Sequence, residues 1–286
     1  MPMNLIQSIA SPAWAAGFKV ITSRCEGCHR SLALRHLTAQ KAGITMYGCW
    51  YCSSACFKAA AEKKFAELLT TGQEQVNHVS RMPLGLLLIG RSLLTAEQLS
   101  EATEEQKESE GEIGEILARR GFVNEKQVTG ARAVQWSCPV FSVPKHSIQT
   151  GIQIPSALIQ LYSAIPLHYV PRTKRLFVGF VLGIEYGLLY AIEQMTGCNT
   201  QPCFVTPSDF EIQMQLREQM QELCADTTPK EWTFESIQTP AEMAQILCSH
   251  GVDLEADEVI ISRCREYLWA RLKYGPEAVD LFFRAG

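Results

Sequence analysis

No run of about 18 apolar residues occurs in this chain, so no membrane-spanning helix is expected. Its most apolar stretch, LFVGFVLGIEYGLLY at 176–190, is short and carries Glu185 and three glycines. We read that stretch as a buried strand followed by a helix. An excess of one charge is also lacking: 26 Lys and Arg face 30 Asp and Glu, for a net charge of -4. A chain so balanced has no overall attraction for polyanions, which argues against nucleic acid as a partner. The opening MPMNLIQSIASPAWAAGFKV has no basic leader ahead of a continuous apolar core, so no signal peptide is expected and the location read from it is cytoplasmic. GxxxxGK[ST], GxSxG, HExxH and GxGxxG are absent. Without them there is no phosphate-cradling loop, no elbow nucleophile and no helical zinc-protease pair, and a non-enzymatic protein is expected.

Cysteine, by contrast, is plentiful: the chain has 11. In a chain read as unexported, thiols and metal ligation are favoured over disulfides. Cys25-Glu-Gly-Cys28 and Cys49-Trp-Tyr-Cys52-Ser-Ser-Ala-Cys56 gather five of them near the N-terminus. Four thiolates close a tetrahedral zinc site, and a segment poor in apolar residues gains folding energy from the metal. Two ligand sets compete. A ribbon would use Cys25, Cys28, Cys49 and Cys52, and a treble-clef knuckle would use Cys25, Cys28, Cys52 and Cys56. The knuckle is favoured because AAAEKKFAELL follows directly, which places Cys52 and Cys56 in the first turn of a helix, where the helix N-terminus favours thiolates. The YCSxxC stretch resembles that of treble-clef zinc fingers. His29 and His36 are alternative donors, read as surface residues.

A second signal is an internal repeat. PLGLLLIGRSLLTAEQLSEATEEQ (83–106) and EIGEILARRGFVNEKQVTGARAVQ (112–135) align without a gap at an offset of 29. Such a repeat means one supersecondary unit used twice, each copy burying its apolar face against the other. Each copy reads as helix, tight turn, helix. Thr95 with Gln98 and Asn124 with Gln127 have capping-box spacing, and Gly121 suits a left-handed residue better than Ser92 does. Downstream, 164–170 and 175–181 read as strands, 185–196 as a helix closed by Gly197, 201–205 as a strand, and Thr206-Pro207 as the start of another helix. This is a small α/β unit.

The paired repeats and the order of elements after them resemble the N-terminal domain of type II secretion and type IV pilus assembly ATPases. Ile154-Pro155, Ile165-Pro166-Leu167, Leu176-Phe-Val, Thr196-Gly197 and Thr206-Pro207-Ser208 fall on that family's pattern. A branch of the family binds cyclic di-GMP at the repeats. The resemblance carries this over to Leu84, Gly85, Leu88, Leu99 and Gln106 in the first copy, and to Ile113, Gly114, Leu117, Gly121, Val128 and Gln135 in the second. The family's motif arginine is replaced by Pro83 and Glu112. That loses two bidentate donors and adds a carboxylate. No P-loop for the hydrolytic half of such ATPases occurs in these residues.

Thr239-Pro240 opens a further helix, and a longer one is expected over 254–273, with Trp269, Leu281, Phe282 and Phe283 as a docking surface if exposed. The chain therefore reads as α+β in four parts. These are a four-cysteine zinc segment with its helix (1–72), a tandem αα-hairpin repeat (80–137), a small α/β subdomain (138–222) and a helical C-terminal tail (223–286). The leading function is an adaptor that docks a protein partner of a secretion, pilus or signalling system. A cyclic di-GMP sensor is the alternative, and a zinc-dependent DNA-binding regulator comes third.

Overall fold

A computed structural model describes residues 24–30, 43–71, 81–109, 111–143, 152, 154–223, 230–236 and 239–284. The first 23 residues and His36 lie outside them.

The repeat folds as read. Helices α2 (Leu84–Gly90) and α3 (Ala96–Glu108) form one hairpin, and α4 (Ile113–Arg119) and α5 (Glu125–Gln135) the other; α1 is Ser54–Thr71. Thr95 and Asn124 both make complete capping boxes, satisfying orphan amides at the starts of α3 and α5. The turns match as well: Ser92 has φ 57° and Gly121 φ 71°. The hairpins interlock, α2 against α5 and α3 against α4. The matched glycines permit close packing within each hairpin, because a Cβ on Gly85 of α2 would stand 2.4 Å from Leu99 Cδ1 of α3 and one on Gly114 of α4 2.8 Å from Val128 Cγ1 of α5.

The α/β unit follows. After α6 (Ser156–Tyr162), β3 (Ala164–Val170) pairs antiparallel with β4 (Arg175–Phe180), which pairs parallel with β5 (Asn199–Phe204) beyond helix α7 (Tyr186–Thr196). Helix α8 (Pro207–Leu223) begins with proline where its missing N–H costs nothing.

The expected helical tail is corrected. Among the described residues of that tail α9 (Pro240–Asp253) alone is a helix, with a capping box from Thr239 and Glu242. Residues 254–273 contain no long helix. Instead β6 (Lys230–Phe234), β7 (Glu258–Cys264), β8 (Tyr267–Tyr274) and β9 (Glu277–Arg284) are strands, the last three forming antiparallel hairpins. Both faces of β7–β9 are largely buried, so apolar residues do not alternate with polar ones along them and the two-residue period that marks a strand is lost. Gly275 at φ 59° opens the two-residue loop between β8 and β9, as a type II′ turn requires. Trp269, Leu281, Phe282 and Phe283 are at most 1% exposed and offer no docking surface.

The two ends of the chain share one sheet. The strands β1 (Ile44–Met46) and β2 (Cys49–Tyr51) form a hairpin, and β1 adds parallel to β7, giving the order β2-β1-β7-β8-β9-β6. One face of this sheet packs with α1 and α9 through Phe57, Ala61, Phe65, Met243, Leu247, Leu268, Leu281 and Phe283. The opposite face gives Ile260, Cys264, Trp269 and Phe282 to the core of the α/β unit. On that face Arg271 and Asp280, directly paired across β8 and β9, form a bidentate ion pair at 2.8 Å. Trp269 Nε1 donates to the same carboxylate at 2.6 Å.

Candidate metal centre and repeat seam

Four sulfurs, those of Cys25, Cys28, Cys52 and Cys56, lie within 4.8 Å of one another. Residues 24–30 make a tight knuckle: Cys25 N–H donates to Arg30 O at 2.9 Å and His29 N–H to Cys25 O at 2.8 Å. Glu26 N–H donates to Trp50 O at 3.0 Å, which hangs the knuckle on β2. The CxxC glycine packs tightly against the facing helix, where a Cβ on Gly27 would sit 3.0 Å from Cys56 Cβ. Cys52 stands two residues before the start of α1, and Cys56 lies in its first turn. The two therefore do not share that turn, as the sequence reading had placed them.

The spacing fits a tetrahedral ion. Bonds of about 2.3 Å give sulfur-to-sulfur edges of about 3.8 Å. The Cys28–Cys52 and Cys52–Cys56 sulfurs are 3.4 and 3.9 Å apart. Burial pushes the Cys25 thiol up, but the amides of Cys28, Cys52 and Gly27, with the Cys52 thiol, outweigh it and bring it down to about 6. Hydrogen bonds with the Cys28 and Cys25 sulfurs push the Cys52 thiol up to about 12. The Cys25 sulfur is thus prepared to be a thiolate, while Cys52 holds a proton that a divalent cation would displace. The four residues can hold a metal ion. Cys49 lies exposed on β2, outside this group of four. His29 is exposed at φ 59° and is not among the clustered donors.

At the repeats, Leu84, Leu88, Leu117 and Val128 are buried together, with Leu99 and Ile113 packed against them. Gly85 and Gly114 sit at the helix contacts, whereas Gly121 lies exposed in a turn away from them. The two glutamines are used by the fold. Gln106 Nε2 donates to Gly111 O at 3.1 Å, and Gln135 Nε2 donates to Met82 O at 2.7 Å. Residues 82 and 111 are themselves 29 apart, so each copy clasps the entry to the other. Sequence comparison of the copies exposed the glutamines but not this reciprocity, because Met82 and Gly111 share no chemistry beyond their backbone carbonyls.

The cations near the seam are also engaged. Arg119 and Arg120 both bind Glu105, holding its carboxyl below the usual carboxylate range. Arg81 stacks over Trp136 at 3.4 Å. Arg132, a residue the sequence did not single out, is buried and donates to Val181 O at 2.7 Å, tying α5 to the α/β unit. Pro83 and Glu112 occupy the N-cap positions of α2 and α4.

No family model matches this chain. Over 129 residues, 44% of its length, it is 25% identical to the type IV pilus assembly ATPase PilB of Thermus thermophilus, and it spans 14% of that protein. Among solved structures, MshE with cdg is similar at TM-score 0.40 and 19% identity, over 46% of this chain and 95% of that one. The N-terminal domain of XpsE is similar at TM-score 0.38 and 17% identity, over 46% and 92%. Both structural likenesses are loose, and the match in sequence is what carries the relationship. Among the described residues no helix is long and apolar enough to cross a membrane. In just under half of its length, this chain resembles the N-terminal domain of type II secretion and type IV pilus assembly ATPases.

Proposed function

We propose that the chain is a non-catalytic docking protein of a secretion or pilus system, built from an N-terminal-type domain of the assembly ATPases without a P-loop and closed by a structural zinc ion. The observation that carries the reading is the similarity to PilB over 129 residues, with the duplicated hairpins beside it. The absence of GxxxxGK[ST] from the sequence supports a role in contact rather than hydrolysis. The metal is assigned to Cys25, Cys28, Cys52 and Cys56, with zinc the ion that four thiolates at tetrahedral spacing select. It supplies folding energy only.

The test is affinity capture with the tagged full chain from its own cells, alongside an ATP hydrolysis assay of the purified protein. A pilus or secretion component should co-purify and no hydrolysis should appear. Steady ATP turnover, or capture of nothing from such a system, overturns the reading.

Cyclic di-GMP is disfavoured at the seam. A dianionic ligand would meet Glu112 in place of an arginine, and the Gln106 and Gln135 amides are already donated to backbone carbonyls. Calorimetry with cyclic di-GMP at high micromolar concentration should therefore give no binding heat. A saturable signal abolished by Gly114→Leu would move the protein to the sensor class.

A further inference from the structure

We propose that the metal centre is the clasp of a folding unit made from the two ends of the chain, so that metal loss unfastens the C-terminal sheet while the hairpin repeats stay folded. This rests on the reading of the four cysteines as a metal site.

The composition of the second core carries the inference. Its buried members are Ile44, Met46, Tyr51, Phe57, Ala61 and Phe65 from one end of the chain and thirteen residues between Met243 and Phe283 from the other. Among the described residues, none of the repeats or of the α/β unit belongs to it, and none of the half-buried residues packed on it comes from 70–233. The chain thus leaves this core after α1 and returns to it at β6.

Every described contact that holds the N-terminal piece in place starts close to the cysteines or runs along the helix that leaves them. Strand β1 is held to β7 by two register pairs, Thr45 with Glu258 and Met46 with Val259. The Tyr47 hydroxyl, in the β1–β2 turn, bridges the Ile261 backbone, accepting from its N–H at 3.0 Å and donating to its carbonyl. The first turn of α1 is fixed to α9 by the Cys248 thiol, which donates to Ser54 O at 3.5 Å, and by Lys58, which donates to Gln245 at 2.5 Å. At its far end, Arg263 Nη1 donates to the carbonyls of Leu68 and Leu69 at 2.8 and 3.1 Å, and Phe65 meets Phe283 edge to face at 5.3 Å.

Two three-residue strands and one helix form too small a piece to hold this geometry alone. Cys25 and Cys28 before β1, and Cys52 and Cys56 at the join of β2 and α1, are where one ion fixes the hairpin to the helix. With the ion gone, α1 loses its fixed angle to β1–β2. The face made by Met243, Leu247, Leu268, Leu281 and Phe283 then loses its cover. A reversible cover over an apolar sheet face is a conformational device responsive to metal supply or thiol oxidation.

Hydrogen exchange of the full chain, before and after chelation and again after zinc is restored, tests the clasp, with metal content measured at each stage. Exchange in α1, α9 and β7–β9 should speed up by about tenfold or more on chelation and recover with zinc, while α3 and α5 keep their protection. If zinc is bound and removed but the change stays within residues 25–57, the clasp is wrong and the metal reading stands. If α3 and α5 lose protection equally, the claim of a separate unit is wrong. Protein that holds no metal, and binds none when zinc is supplied, overturns both readings. Cys49→Ser serves as the control for the assignment. It should retain zinc, whereas Cys52→Ser should not.

Discussion

The hairpin repeats and the sheet made from the chain's ends solve the same problem by opposite means. In the repeats each helix packs with partners less than about 50 residues away: capping boxes and matched glycines set each hairpin, and reciprocal glutamines join the two. In the sheet, strands from residues 44–51 and 258–284 must meet across the whole intervening chain, and the joint sits beside four clustered thiols. Local pairing is inexpensive in loop entropy, and distant pairing is not. Four thiols able to hold an ion stand at the distant joint and, among the described residues, not at the local one, which accords with that asymmetry.

Apart from chelation, the largest expected effect lies in the sheet. Asp280→Ala leaves the Arg271 guanidinium buried beside Trp269 without its counter-charge, a change that costs about 3–5 kcal/mol. Denaturant unfolding should show the loss. A much smaller loss would mean that water reaches the pair and that the α/β unit does not seal this face of the sheet. In the repeats, Gly85→Ala drives a Cβ to 2.4 Å from Leu99 and should cost about 1–3 kcal/mol. The same change at Gly114, where the nearest atom is 2.8 Å away, should cost less. If Gly85→Ala also sped exchange in α9, the two regions would not be independent.

What the sequence disclosed divides along the same line. The repeats were legible down to individual caps, because gapless self-alignment reports local geometry directly. Strands β3–β5 and helix α7 were legible from short runs bounded by Pro171-Arg-Thr-Lys and Gly197. The cysteine spacing pointed to the four residues whose sulfurs cluster. The strands at 258–284 were missed because Val259, Ile260, Ile261, Leu268, Trp269 and Ala270 are all buried, whichever face they point to. The union of the two ends was missed because nothing local marks β1 as a neighbour of β7. Its register pairs, Thr45 with Glu258 and Met46 with Val259, carry no motif.

The smallest expected effect sets the two repeat copies against each other. Ser92 and Gly121 hold the same left-handed turn, at φ 57° and 71°, but only one of them is glycine. A left-handed residue with a side chain costs roughly 1–2 kcal/mol, while glycine loses roughly 0.5–1 kcal/mol in added unfolded-chain freedom. Ser92→Gly should therefore stabilise the chain by roughly half to one kcal/mol, and Gly121→Ala should destabilise it by a similar amount, both read from the denaturation midpoint at unchanged slope. Both turns are exposed, so neither substitution meets a packed neighbour that would blur the result. If Ser92→Gly were destabilising instead, the serine would be contributing something its glycine counterpart does not. The equivalence of the two turns, and with it the pseudo-symmetry of the hairpins, would then be lost at a point where the copies differ in sequence but not in shape.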